Sequence, residues 1–480
     1  MFPLAAYKQQ RNSQMSHQKI PNPGIDRPRG SEIWRKDRAH VIHPYTDFAT
    51  FQDEGSHVIS SASGCYVTDI EGNKYLDAIA GLWCTNIGHG RADMAEAIAS
   101  QVGKMQYYNP FGHTTNEPAA VLAEKIAQLT PGSLNHVYFT CGGSTANDSA
   151  IRVIHYYNNL RGRPNKKHVI SRNNGYHGST YIAANLTGIQ ATKNCFDAVG
   201  SDWISHVSAA DMYRRPVGAE SLSEADYCDF LCNELENHIL QLGADNVAAF
   251  IAEPIMGAGG VLVAPTGYHA AVASMLKKYD ILMVVDEVVT AFGRLGEWFA
   301  CESVFGFVPD VLVVAKGINS GYIPLGAAIF SSEIYDVISQ PQAEGGVFSM
   351  GFTYTGHAVA CAAALKNIDI LDAEDILQNV KKLSPILHQE AEKLLHHDIV
   401  GDVRGQGFML GIELVKDKQT KEPLLGAHKI YELCLSLGVI VRPIGSIVVI
   451  SPPLTFSAED INKLMAALDQ SIALLSKEQL

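Results

Sequence analysis

Residues 247–253 read VAAFIAE, residues 281–287 ILMVVDE and residues 311–316 VLVVAK. Each is an apolar run of strand length that ends on an ionisable residue: Glu253, then Asp286 and Glu287, then Lys316. Runs this apolar throughout belong to a sheet covered on both faces, the habit of parallel strands in α/β folds. In such sheets the ligand crevice lies outside the carboxyl ends of the strands, so the three endings predict one shared site.

Outward from these runs, the stretch from Ala80 to about Ser331 alternates short apolar strands with amphipathic helices. YIAANL (181–186) is counted among the strands, and GYHAAVASMLKKY (267–279) among the helices. This alternation predicts a mostly parallel sheet covered by helices. After about Gly345 the pattern changes to two long helices over 357–397, strands at FMLGIELV (408–415) and GVIVRP (438–443), and a last helix from Ser457. That reads as a second, smaller α+β domain, to which the residues before Asp77 also belong. The expected organisation is a flexible arm over 1–30, punctuated by Pro21, Pro23 and Pro28, and an N-terminal part of the small domain over 31–76. A large domain over 77–345 and a C-terminal small-domain segment over 346–480 follow.

The 480 residues are 47% apolar and 18% charged, a balance that suits a compact globular chain and excludes disorder. A formal charge of −13 with no dense Lys/Arg stretch argues against nucleic-acid binding. No apolar run approaches the roughly 18 residues of a membrane span. The opening MFPLAAYKQQ has too short an apolar stretch for a signal peptide, so no membrane association and a cytoplasmic location are expected. Nine cysteines without a CxxC, and 18 histidines without an HExxH, predict reduced thiols and no metal centre. Cys228 and Cys232 stand one helical turn apart, with no histidine close by to complete a metal site.

A lysine following Val313, Val314 and Ala315 either reaches solvent or sits partly buried, where desolvation lowers its pKa and makes the amine a better nucleophile. Taken alone, Lys316 reads most simply as a solvated start of a loop, and Asp286 as an ordinary strand-ending acid. Together they are the pair that pyridoxal phosphate requires: an amine to form a Schiff base and an acid to keep the pyridine nitrogen protonated. Once released, the same amine can carry a proton. TCGGSTAND (140–148), between the strand HVYFT and the helix SAIRVIHYYNN, supplies glycines and a helix N-terminus for a phosphate. SRNNGYHGST (171–180) places Tyr176 and His177 on a glycine-flanked loop, where an aromatic can either cover a flat ring or pack into the core.

These segments resemble the class III aminotransferases of the fold-type-I pyridoxal-phosphate enzymes, over nearly the whole chain from Trp34. Within that class they look most like the amine:pyruvate branch, the ω-transaminases. Eight ordered stretches carry the likeness: LDAIAGLWCTNIGHG (76–90), TCGGSTAND (140–148), GYHGST (175–180), FIAEPIMGAGG (250–260), VVDEVVTAFGRLGEWF (284–299), PDVLVVAKGINSGYIPLGA (309–327), GFTYTGHAVA (351–360) and DVRGQGFMLGIEL (402–414). The resemblance implies a mostly parallel seven-stranded sheet and bound pyridoxal 5'-phosphate. It makes Lys316 and Asp286 catalytic, Lys316 as the Schiff-base lysine and Asp286 at the pyridine nitrogen. Tyr176 would stack on the ring, with His177 and Val288 beside the cofactor, and Gly143 and Ser144 would bind phosphate. Glu253 would stand near the phenolic oxygen. Phe352 and Thr353 match a segment that completes the phosphate site of the other subunit, implying a homodimer with shared sites, or a tetramer built from it. Trp83 matches the wall of the amine pocket, and Arg442, in VIVRPIGSIVVISPPL (439–454), the mobile arginine that grips a substrate carboxylate.

The likeness has departures. Many class III enzymes read SGSEAND where this chain has GGSTAND, so Gly142 and Thr145 replace a serine and a glutamate, and the phosphate site is expected to lean on backbone N–H groups. Ala358 also follows His357 where the family favours another ending. The expected activity is transfer of an amino group from an amine or ω-amino acid to a keto acid, with pyruvate favoured over 2-oxoglutarate, by a ping-pong mechanism. Amino mutation and decarboxylating transamination on the same scaffold are the alternatives. A nicotinamide dehydrogenase is disfavoured because TCGGSTAND lacks GxGxxG spacing, and a non-catalytic binding protein because Lys316 and Asp286 are both intact.

Overall fold

The computed structural model describes residues 31–194, 196–197, 201–340 and 347–479. The arm expected over 1–30 lies outside the described residues. They fall into two compact units, with the boundary after Val58. In the first, the helices Glu32–His40 and Phe48–Glu54 are each started by a side chain that accepts a backbone N–H, Ser31 from Trp34 and Asp47 from Ala49.

The second unit is built on a seven-stranded sheet. Its spatial order is Leu134–Thr140, Gly326–Ser331, Val311–Val314, Leu282–Asp286, Val247–Ala252, His168–Arg172 and Ile204–Val207. Only Gly326–Ser331 runs against its neighbours, so the sheet is mostly parallel as expected. Every residue of Val247–Ala252 and Val311–Val314 is buried, because helices cover both faces. The expected helix in GYHAAVASMLKKY spans Tyr268–Lys278.

Two smaller sheets complete the unit. Ile59–Ser63, Tyr66–Asp69 and Lys74–Asp77 form an antiparallel meander, and Val439–Ile440 joins its last strand in parallel, pairing Val439 with Leu76. Val400–Gln406, Met409–Asp417, Ile447–Ile450 and Arg442–Ile444 form an antiparallel sheet, with Glu422–Pro423 pairing on Met409–Asp417. The two long helices are Ala358–Ala373 and Ile376–Glu392, and the last is Ala458–Gln479. No described helix is long and apolar enough to cross a membrane.

Two local expectations are corrected. YIAANL is not a strand but the helix Tyr181–Leu186. Its alanines and leucine favour a helix, and Asp148 Oδ1 accepts the Ala183 N–H at 2.9 Å, supplying from elsewhere in the chain the cap that Thr180 does not. The helix expected at SAIRVIHYYNN begins earlier, at Gly143, and runs to Leu160. Thr145 Oγ1 bonds Gly142 O at 2.9 Å, which binds the GGST segment into the first turn.

Candidate active site

Lys316 follows the strand Val311–Val314 and opens a 3-10 turn to Ile318 with φ +46°, a left-handed conformation unusual for a residue with a side chain. Such strain, about 1–3 kcal/mol, persists only where surroundings enforce it. Here Asn367 does so: its Nδ2 donates to Gly317 O at 3.0 Å and Ile318 O at 3.1 Å. A Cβ on Gly317 would come within 2.4 Å of Asn86 Nδ2, so glycine is required. Asn86 is itself fixed, donating to Phe292 O at 2.8 Å and accepting from buried Arg294 Nη2 at 2.9 Å.

Burial pushes the Lys316 ammonium pKa below its ordinary value. Asp286, Cys84 and Glu253 oppose that shift and Arg442 adds to it, which brings these four groups into one electrostatic neighbourhood. The convergence expected at the strand ends is therefore present. Cys84 was not anticipated in it.

Asp286, the last residue of its strand, is 5% exposed. Its Oδ2 accepts from Asn147 Nδ2 at 2.8 Å and from His177 Nδ1 at 2.9 Å, and its Oδ1 accepts from Val288 N at 3.1 Å. Because a carboxylate accepts, the His177 hydrogen sits on Nδ1. Asn147 also donates to His177 O at 2.8 Å, so one amide locks both partners. Asn147 lies inside TCGGSTAND, and its position one helical turn beyond Ser144 was the available signal for it. The neighbouring acid takes no part: Glu287 accepts the N–H groups of Ala300 and Cys301 at 2.8–2.9 Å and the hydroxyl of Thr290 at 2.9 Å.

Glu253, also buried, accepts from Tyr176 N at 2.8 Å and Gly257 N at 2.9 Å. Burial holds its carboxyl above the ordinary carboxylate range, with His177 opposing and Asp286 reinforcing. The bond from Tyr176 N fixes the half-buried loop that carries the Tyr176 ring. Trp83 is 4% exposed, with φ +64°, and shares an apolar cluster with Ile255, Met409 and Val449. A Cβ on Gly257 would lie 3.7 Å from the Trp83 ring. Arg442 starts the strand Arg442–Ile444, in register with Val449. Phe352 and Thr353 bond elsewhere, Phe352 N to Thr355 Oγ1 at 3.2 Å and Thr353 O to Tyr107 OH at 2.9 Å.

The helix Gly143–Leu160 begins with no side-chain cap, leaving its first-turn N–H groups for an outside acceptor. Bulk is excluded around it. A Cβ on Gly143 would meet Val288 Cγ2 at 3.1 Å, and one on Gly178 would overlap Ser144 Oγ at 2.4 Å. Ser144 Oγ in turn accepts Ser179 N at 3.1 Å. A glycine-lined anion cradle, a half-buried lysine and a clamped carboxylate at neighbouring strand ends fit pyridoxal phosphate. Together with the mostly parallel sheet, they define a fold-type-I pyridoxal-phosphate enzyme.

Comparison with known proteins makes the assignment narrower. The family model "Aminotransferase class-III" matches residues 50–472. A putrescine–pyruvate aminotransferase of Pseudomonas aeruginosa is 41% identical over 462 residues, covering 94% of this chain and 99% of that protein. Gamma aminobutyrate transaminase 2 of Solanum lycopersicum is 39% identical, covering 89% and 93%. Among solved structures, a thermostable (S)-enantioselective omega-transaminase from Thermomicrobium roseum superposes with a TM-score of 0.89 at 39% identity, covering 93% and 99%. The omega transaminase from Pseudomonas jessenii in complex with PMP gives 0.90 at 34%, again covering 93% and 99%. The chain belongs to the class-III aminotransferase family. It is a pyridoxal-phosphate-dependent transaminase.

Proposed function

We propose that the chain moves an amino group from a primary amine or ω-amino acid to a keto acid, with pyruvate as the favoured acceptor, in a ping-pong cycle. The observation that carries this reading is Asp286, held on one oxygen by His177 and Asn147, in the same electrostatic neighbourhood as half-buried Lys316. Pyridoxal phosphate, when bound, supplies the electron sink that stabilises charge left on the substrate carbon. Lys316 anchors the cofactor covalently and, once free, moves a proton at its Nζ, a task favoured by its lowered pKa. Asp286, held by His177 and Asn147, would face the pyridine nitrogen. The N–H groups of Gly143 and Ser144 would hold the phosphate, with Val288 beside Gly143 on one side, and Tyr176 would cover the ring. Glu253 orients the Tyr176 loop through the backbone N–H.

Trp83 walls the amine pocket and Arg442 pairs with a substrate carboxylate. The putrescine–pyruvate relative supports a diamine donor with pyruvate; the gamma-aminobutyrate relatives support an ω-amino acid. A donor panel with pyruvate, scored by alanine formed and repeated with 2-oxoglutarate, tests this. Arg442→Ala is expected to raise KM for carboxylate-bearing substrates about 10–100-fold, the worth of a charge-assisted bidentate contact, and to leave the half-reaction with simple amines within a few-fold. Equal losses with both kinds of substrate would remove Arg442 from carboxylate recognition, and failure of every amine would overturn transamination of this donor class.

The active unit in this reading is a homodimer, with Phe352 and Thr353 of each chain reaching the other's phosphate site. Exposed apolar side chains gather where such contact would form. Tyr108, Phe111, Val347 and Tyr354 are each more than half exposed, and Tyr107 and Tyr354 stand 5.8 Å apart. The strand Lys74–Asp77 pairing with Val439–Ile440 supports, for the residues from Ile59 on, the expected small domain of 31–76 and 346–480 with a large domain of 77–345. All eight described cysteines are free thiols, which supports a reducing compartment such as the cytoplasm.

A further inference from the structure

We infer that His396, His397 and Asp469 form a surface site for one divalent transition-metal ion of the zinc class, apart from the cofactor site. Nε2 of His397 lies 2.8 Å from Asp469 Oδ1, and Nε2 of His396 lies 3.7 Å from the same oxygen. The donor atoms of the three residues all fall within 4.8 Å of one another. Ligand atoms around one tetrahedral zinc ion, each about 2.0–2.1 Å from it, stand roughly 3.3–3.4 Å apart. The observed spacing brackets that value, so small side-chain rotations complete the site.

His396 Nδ1 lies 2.8 Å from Lys393 O, and a carbonyl only accepts, so Nδ1 carries a hydrogen and Nε2 is the nitrogen left to bind an ion. Nε2 of His397 donates to Asp469 Oδ1 at 2.8 Å, and that hydrogen leaves as a proton when the ion takes its place. A ring nitrogen tied to a backbone carbonyl is the outer support that fixes metal-bound histidines. Two histidines converging on one carboxylate oxygen is more than an isolated His–Asp pair needs. The His397 side chain is 9% exposed, against 63% for His396 and 53% for Asp469, so the site is anchored on one side and open to water on the other. Two imidazoles and a carboxylate suit zinc, nickel or copper over magnesium or calcium.

His396 ends the 3-10 turn Lys393–His396, while Asp469 lies on the last helix, 72 residues beyond His397. An ion there ties that helix to the turn. The adjacent cations are already engaged, Lys393 with Glu390 and Lys418 with Leu395 O.

The test uses chelator-treated holoenzyme and Zn2+, in equilibrium dialysis with metal analysis and in thermal unfolding. Wild type is expected to bind one more Zn2+ per chain than His396→Ala or Asp469→Asn, whose affinity for that ion falls at least about tenfold, the lower bound for losing even an outer-shell partner. Zn2+ should raise the Tm of wild type and not of the variants. Both substituted side chains are exposed, so the variants keep the fold and zinc-free transaminase activity. Equal Zn2+ binding by all three proteins, no stoichiometric binding by wild type, or a Tm rise shared by all three would overturn the assignment.

Discussion

Lys316→Ala is expected to lower kcat by at least about 10⁴, because in the proposed cycle one substitution removes both the anchoring nucleophile and the proton carrier. Alanine formation from pyruvate under single-turnover conditions measures this. Cofactor is still expected to bind, without a covalent link, through the cradle at Gly143 and Ser144, so dialysis should strip it from the variant faster than from wild type. The loss should not come from unfolding. Burial lowers the Lys316 pKa, so the folded, cofactor-free protein holds that proton more weakly than the unfolded chain. Lysine therefore costs stability at neutral pH, and the cost fades as pH rises from the folded pKa toward the unfolded value of about 10.4. Removing it should leave the Tm of the cofactor-free variant equal to or above that of wild type near pH 7. Turnover within tenfold of wild type would remove Lys316 from the centre of the mechanism.

Asp286→Asn comes second in size, with kcat reduced about 10²–10³, the scale for losing one preorganised charge at a reacting system. The amide can present its oxygen to His177 and Asn147, but its NH2 then faces the Val288 N–H, donor against donor. That mismatch costs about 1–3 kcal/mol and should appear as a lower Tm. The kinetic loss is separable from it, because at temperatures well below unfolding a purely structural role would leave kcat near wild type. A variant with normal kcat and a lowered Tm would make Asp286 a structural acid.

The parallel core was legible because buried parallel strands write themselves as continuous apolar runs. VAAFIAE, ILMVVDE and VLVVAK became the strands Val247–Ala252, Leu282–Asp286 and Val311–Val314, and their endings Glu253, Asp286 and Lys316 share one electrostatic neighbourhood. YIAANL misled because a six-residue run with five apolar members suits a strand or a short helix equally, and the deciding cap, Asp148, sits 35 residues from Ala183. Asn147 escaped notice since its two bonds reach His177 and Asp286, contacts that exist only once three strand ends converge. The network of Asn86, Arg294 and Asn367 behind Lys316 was hidden for the same reason: its members lie up to 281 positions apart, and the one cation among them, Arg294, spends its donors on Asn86 and backbone carbonyls. Of the two adjacent acids, Asp286 and Glu287, only the fold shows that Glu287 turns to cap Ala300 and Cys301.

In the proposed cycle everything turns on Lys316 holding pyridoxal phosphate for amino transfer. The most direct measurement is the near-visible absorption of cofactor-reconstituted protein, followed as an amine and then pyruvate are added. Wild type is expected to show a band that bleaches with amine and returns with pyruvate, with no such amine-dependent cycle in Lys316→Ala. A wild-type band indifferent to every amine tried, or an unchanged cycle in Lys316→Ala, would contradict it.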